Sequence, residues 1–305
     1  MSAFLVQMQG AVSQGILWGI MVLGVYITYK VLDIADLTVD GSFALGGCVC
    51  ALLVVEKGFN PFLASMLALL AGALAGLVTG ALHTAFDIPA ILAGILTQLG
   101  LWSINLRVMG KSNTPFLKVD TLVTQLSDLT GLSNGWAGLA VGAVVAVVII
   151  LLLYWFFGTE LGSAMRATGN NEDMIRALGC NTRITKIIAL ALSNGLVGLS
   201  GSLVAQQQKY ADIGMGTGAI VIGLAAIVIG DVLMGRAVSF WAKLISAVVG
   251  SIVYFVIRAL VLRIGLDAND MKLFSAIFVA LALCIPVAMS KWRLHKAYSE
   301  DGGKL

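Results

Sequence analysis

The chain has 305 residues, 59% of them hydrophobic and only 11% charged, with a formal net charge of +3. A soluble globular domain carries roughly 25% charged residues, so this composition excludes a water-soluble enzyme or binding module. The positive balance is spread over many loops and forms no basic patch, so no nucleic-acid partner is expected.

Along the chain, apolar spans fall at about 11–29, 41–55, 62–83, 88–109, 136–157, 187–207, 217–234, 241–263 and 273–290. A crossing helix needs about 20 residues, so the second span is short, and glycines break the seventh. The expected fold is an all-α polytopic membrane bundle of about nine spans, a single domain over 1–305. No Lys or Arg precedes Lys30, which leaves the first span without the positive start of a cleavable leader. Gly15 and Gly19 in the first span, Gly72, Gly76 and Gly80 in the third, and Gly195, Gly198 and Gly201 in the sixth recur at helical spacing. In lipid, helices attract one another by close packing, so these stripes are read as helix contacts rather than as a substrate-lining surface.

Polar residues within the spans are the candidate translocation pathway. Asp36, Thr38, Asp40 and Ser42 begin the short second span, and Gln98, Asn105, Asn194 and Gln206 interrupt others. An unpaired carboxylate in hydrocarbon is unfavourable, so Asp36 and Asp40 are expected to reach water, a partner or a helix N-terminus. For Asp40 two roles stay open: a helix cap ahead of Gly41 and Ser42, or a contact with cargo. Cys48, Cys50, Cys180 and Cys284 show no disulfide framework and are read as small packing residues. His83 and His295 stand alone, so no metal site is expected. Gly110-Lys111-Ser112 resembles the end of a phosphate-binding loop, but the glycine required five residues earlier is Asn105, so nucleotide hydrolysis is not expected of this chain.

The loop 110–135 contains Val119, Leu122, Leu126 and Leu129 at helical spacing. It predicts a surface helix, either lying at the membrane interface or serving as a platform for a soluble protein. The stretch Gly158–Lys186 is the longest polar interruption in the chain, with Arg166, Glu172, Asp173, Arg176, Arg183 and Lys186. Asn170 ahead of two carboxylates predicts a short helix from about Asn170 to Leu178, stopped by Gly179 in a left-handed turn. Further on, Ala211-Asp212-Ile213-Gly214 follows the sixth span as Ala35-Asp36-Leu37-Thr38 follows the first. An odd number of spans separates them, the arrangement of an inverted repeat. Asp231 is read as a structural residue at the membrane edge. The stretch 158–186 and the tail after Ser290 each hold four basic residues, which places both in the cytoplasm and the N-terminus outside.

Thr159, Gly162, Arg166-Ala167, Gly169-Asn170, Ala177 and Gly179-Cys180-Asn181 together resemble the coupling loop of ATP-binding-cassette importer permeases of the branched-chain amino acid and sugar type. Cys180 stands where Ile is commoner, and Met174-Ile175 where two Ala are usual. A second run, Asp36-Leu-Thr-Val-Asp-Gly-Ser-Phe-Ala-Leu-Gly-Gly47, resembles the subgroup linked to import of tryptophan and other aromatic amino acids. The resemblance covers nearly the whole chain. It implies a transport subunit that is not itself an enzyme and binds no cofactor, working as a homodimer in the bacterial cytoplasmic (inner) membrane. The implied partners are separate ATPase subunits, which bind ATP and Mg, and an extracytoplasmic substrate-binding protein. The residues it assigns to ATPase coupling are Arg166, Gly169, Asn170, Glu172, Arg176, Gly179 and Asn181. The implied cargo is an amino acid, aromatic or branched-chain; a sugar or nucleoside permease of the same class would share the coupling loop. An ion-coupled secondary transporter would need charge pairs within the spans, where the sequence offers mostly neutral amides. A membrane-embedded enzyme would need convergent catalytic groups, and none is apparent.

Overall fold

The computed structural model describes residues 3–117, 119–235 and 239–264, with residues 270, 273, 276, 277, 280 and 284 beyond them. Eleven helices and two short strands follow in chain order among the described residues. They are α1 (Ala3–Tyr26, prolonged by a π turn Ile27–Val31), α2 (Thr38–Ala51, prolonged by a π turn Leu52–Glu56), α3 (Pro61–Ala85), α4 (Ala90–Met109), β1 (Asn113–Pro115), α5 (Leu122–Thr130) and α6 (Asn134–Phe157). Then come α7 (Glu160–Asn170), α8 (Glu172–Ala177), α9 (Thr182–Gln208), β2 (Tyr210–Asp212), α10 (Ala219–Leu233) and α11 (Phe240–Arg263). Seven of the helices are long and apolar enough to cross a membrane, and α10 is a shorter apolar helix. The ninth expected span, 273–290, lies largely outside the described residues.

The apolar face of α6 explains why this is a membrane protein. Val144, Val147, Val148, Leu151, Leu152 and Trp155 share one side of it and are all exposed. An unbroken exposed face of that kind is stable only against lipid. Trp136 and Trp155, both exposed, lie about 28 Å apart along the helix axis at its ordinary rise. That separation matches the hydrocarbon thickness, with an aromatic residue at each boundary.

α9 runs through the centre of the bundle, flanked by α1, α2 and α3. Small residues make this possible. On α3, a Cβ added to Gly72 would fall on the Asn194 carbonyl, and one on Gly76 would fall on the Leu190 carbonyl. Gly15 packs in the same way against the Ile252 backbone of α11. The spacings read as helix contacts are helix contacts.

Three features depart from the sequence reading. The stretch expected to hold one helix over Asn170–Leu178 holds two, α7 and α8. Thr159 caps α7 by accepting from the Gly162 amide at 3.3 Å, and Asn171, not Asn170, caps α8 by accepting from Met174 at 2.9 Å. Met165, fully buried, gives α7 the apolar anchor that its polar composition conceals. In the loop 110–135 the helix exists, but Val123 is its buried residue and Leu129 is 84% exposed. Val119 and Leu122 of the expected stripe pack against the core and Leu126 is half-buried, so only Leu129, in the last turn, departs from it; Thr121 starts the helix with a capping box. Finally, β1 and β2 pair antiparallel with Thr114 opposite Ala211. Strands of three residues are too short to show periodicity.

The glycine contacts set a test. Gly76→Ile should lower the melting temperature of the purified protein, by an overpacking penalty of about 1–3 kcal/mol. Gly100→Ala, where an added Cβ meets nothing, should not. Equal melting of both variants and the wild type would show that the α3–α9 contact does not hold the bundle.

Candidate functional site

Two regions carry polar chemistry: an exposed platform at one face of the bundle and a buried node at its mid-depth. The platform is α7 and α8. Gly169 lies inside α7, where a Cβ would fall on the Val31 carbonyl, so α7 is pressed onto the end of α1. The Arg166 side chain donates from Nη2 to the Phe157 carbonyl at 3.0 Å and lies 5.4 Å from the centre of the Phe240 ring. It therefore ties the elbow after α6 to the start of α11. Glu172 joins α8 to α9: one carboxylate oxygen accepts from Arg176 at 2.9 Å and Thr182 at 3.0 Å, and the other from Lys186 at 2.6 Å. Partial burial would raise its pKa, but the Lys186 and Thr182 hydrogen bonds and the two nearby cations hold it below the usual carboxylate range. Gly179 turns the chain at φ 86°, and Asn181 caps α9 by accepting from Arg183 at 3.1 Å. Asn170 is the exposed last residue of α7.

Of the residues assigned to coupling, Gly169 and Glu172 are half-buried in the platform, and Arg166, Asn170, Arg176, Gly179 and Asn181 are exposed on it. Beside them, α8 and the turn after it present two apolar residues, Met174, 51% exposed, and Leu178, 72% exposed. Sequence reasoning noted Met174 only as a departure from pattern. Its signal was an apolar residue on a capped polar helix, paired with a second at i+4. Cys180 sits exposed in the adjoining turn and is no packing residue, and Cys284 is exposed as well; Cys48 and Cys50 are buried.

The node forms where two half-length helices meet. α2 runs from mid-depth toward the face that carries β1 and β2, and near its far end Cys50 accepts from Gln206 of α9. After β2 the chain re-enters along α2, with Met215 against Gly47 and Gly216 against the Asp40 carbonyl. α10 then starts and runs the opposite way, ending where Asp231 pairs with Lys30 at 2.9 Å. Asp40, in the first turn of α2, accepts from the Gly218 amide at 2.8 Å and the Ile220 amide at 3.0 Å. It caps α10 rather than its own helix. Free amides at a helix start carry partial positive charge, so a carboxylate between two of them is held by charge and by hydrogen bonds.

The rest of the expected pathway separates into three sets. Asp36, Thr38, Ser42 and Asn194 form one buried chain of hydrogen bonds. Asp36 accepts from the Thr38 amide at 2.9 Å and from Asn194 Nδ2 at 2.6 Å, and Ser42 donates to Asn194 Oδ1 at 2.7 Å. The Thr38 hydroxyl continues it to Thr79 at 2.7 Å and Thr79 to Thr97 at 2.9 Å, two residues that sequence reading missed. Gln98 and Asn105 line a cavity of about 40 Å³ beside Asp40. Asn105 donates to the Gly41 carbonyl at 3.3 Å, and its buried oxygen has no partner among the described residues. Gln206 stands apart: it accepts from the Leu122 amide at 3.0 Å and donates to Ser65 at 2.8 Å, fastening α5 and α3 to α9.

Asp212 accepts from the Gly214 amide at 2.7 Å, the turn that Asp36 makes with Thr38. The two four-residue matches share that hydrogen bond and differ otherwise: Thr38 already begins α2, whereas Ala211 and Asp212 belong to β2 and α10 begins only at Ala219. A larger cavity of about 460 Å³, absent from the sequence reading, lies on the far side of the node. It is bounded by α1, α2, α9, α10 and α11, with Trp18, Phe43 and Tyr254 in its walls.

The family model for the permease component of the branched-chain amino acid transport system matches residues 7–285. Over 276 residues the chain is 40% identical to the tyrosine transport system permease protein of Clostridioides difficile, covering 89% of this chain and 90% of that one. It is 33% identical to the uncharacterized protein RP368 of Rickettsia prowazekii, over 90% of this chain and 95% of that one. It is 25% identical to the ribose import permease protein RbsC of Escherichia coli, over 82% and 76%.

The capping role of Asp40 is testable. Asp40→Leu leaves two helix-start amides unpaired and should destabilise the protein by about 2 kcal/mol, the upper end for a lost cap. Asp40→Asn keeps one acceptor and should fall between. The measurement is thermal melting together with hydrogen exchange at Gly218 and Ile220; unchanged exchange in the Leu variant would refute the cap.

Proposed function

The chain belongs to the family of branched-chain amino acid transport permease components, and from that premise we propose that it is the membrane-spanning subunit of an ATP-driven importer of aromatic amino acids. It is a multi-pass membrane protein of a transport family and not of a catalytic one. In the proposed assembly two copies sit above two ATPase subunits, which bind ATP and Mg. A soluble binding protein delivers cargo at the opposite face. The platform face is cytoplasmic, the N-terminus is outside, and the membrane is the bacterial inner membrane.

The observation that carries the proposal is the exposure of Met174 and Leu178 on a helix welded to the transport core. The weld is continuous: α7 presses on Val31, Lys30 beside it pairs with Asp231, and Asp231 ends the helix whose other end is held by Asp40. An ATPase that changes shape under α8 therefore acts on α10 through α1. A partner moves a conformational equilibrium only by its differential affinity for the two states, and α8 is where that difference is applied. The amino acid cargo is favoured over a sugar by the higher identity to the tyrosine system than to the ribose one.

Two experiments test this reading. Met174→Asp combined with Leu178→Asp should weaken capture of the ATPase by about tenfold or more, as loss of buried apolar anchors does. Stimulated ATP hydrolysis in proteoliposomes should fall with it, while membrane insertion survives; unaltered capture and hydrolysis would sink the coupling role. For orientation, single cysteines at Asn113 and Asn171 in a cysteine-free background face opposite sides. An impermeant thiol reagent added to intact cells should label the first and spare the second, and the reverse pattern would invert the topology.

A further inference from the structure

We propose that the 460 Å³ cavity on the far side of the node is a cargo site within the single subunit, built for an aromatic amino acid with its carboxylate on Arg258. The inference rests on the importer reading above and adds where, and by what chemistry, the subunit itself selects. The volume lies in the range of small-molecule sites, which are largely apolar with a few placed polar groups. The apolar part is aromatic: the Trp18 and Phe43 rings lie 4.6 Å apart in the wall, and Tyr254 faces them from α11. Phe43 is fully buried, so the ring surface on the cavity side comes from Trp18 and Tyr254, with Val221 and Ile222 adding to the apolar lining; a ligand ring would meet those rings edge-on or offset.

The polar part is asymmetric. Among the described residues, Arg258 is the only charged one lining the cavity, and no carboxylate pairs with it. Its guanidinium lies 5.7 Å from the centre of the Phe255 ring, which restrains the side chain without neutralising it. The other source of positive charge nearby, the start of α10, is already occupied, because Asp40 takes the Gly218 and Ile220 amides. A ligand carboxylate is therefore left to Arg258, whose planar fork suits it. Gln208 and Thr217, also in the lining, supply oxygen acceptors for the ligand ammonium.

Equilibrium binding of labelled L-tyrosine to the permease–ATPase complex in nanodiscs, without the binding protein, tests the site. The wild type should bind saturably. 3-(4-Hydroxyphenyl)propionate, which keeps the carboxylate, should compete, and tyramine, which lacks it, should not. Arg258→Gln should weaken tyrosine binding by about tenfold or more and erase that discrimination, while Arg258→Lys, which keeps the charge but not the fork, should fall between the two and keep the discrimination. Equal competition by tyramine, or wild-type affinity in the Gln variant, overturns the site. So does a wild-type complex that imports tyrosine with its binding protein yet binds none without it. If the reconstituted wild-type importer carries ribose or leucine and no tyrosine, the cargo reading fails and the site falls with it.

Discussion

One carboxylate ties the two half-length helices of this bundle together. Asp40 belongs to α2 but satisfies amides of α10, and the two helices leave that point in opposite directions. A helix that begins inside a membrane exposes donors that water cannot reach, so it survives only if protein supplies acceptors. Two such helices starting at one depth double the demand. The solution here is reciprocal in space: the re-entrant turn before α10 packs on the Asp40 carbonyl through Gly216, and the Asp40 side chain closes the helix that the turn delivers.

The helices could not approach closely enough for this with ordinary side chains. Gly46 lies on the Gly198 backbone, Gly201 on the Phe43 backbone and Gly72 on Asn194. Each contact brings α2 or α3 against α9 at backbone distance, and at that distance Asn194 reaches both Asp36 and Ser42. Packing and polar satisfaction are therefore one constraint. Apolar burial supplies no net attraction between helices surrounded by lipid, so the close fit and the buried hydrogen bonds carry the association.

Much of this was legible before any coordinates. Apolar runs gave the spans because lipid demands length and apolarity together, and the glycine spacings gave the contact faces because they repeat at the helical period. The brief match between 35–38 and 211–214 marks two aspartates that each accept from the amide two residues on. Other features left no local trace. Asp40 read as a cap from its own neighbours, Gly41 and Ser42, yet it caps a helix some 180 positions later in sequence. α7 looked like loop because its polar composition hides the one residue that anchors it, Met165. The partners of Arg166 and Glu172 left no trace either, because a sequence shows charge and not what it meets; Phe157, Phe240 and Lys186 are among those partners. The cavity was illegible for the same reason, since Trp18, Phe43 and Tyr254 come from three helices and none breaks the apolar pattern.

The placement of these parts bears on how force would cross the subunit. α10 has 15 residues, about 22 Å of helix, and both of its ends are fixed by charge. Lys30 holds Asp231 at the platform face, where both side chains are about 40% exposed, so water weakens that pair. Asp40 holds the other end by amide hydrogen bonds at lower exposure, where they are harder to break. A load carried to α10 through that pair would therefore displace the Asp231 end first, with Asp40 as the pivot. The residues just beyond the pivot, Gly218, Val221 and Ile222, line the large cavity. A pivot there would turn a movement at the platform face into a change of shape at the cavity wall without unfolding either half-helix.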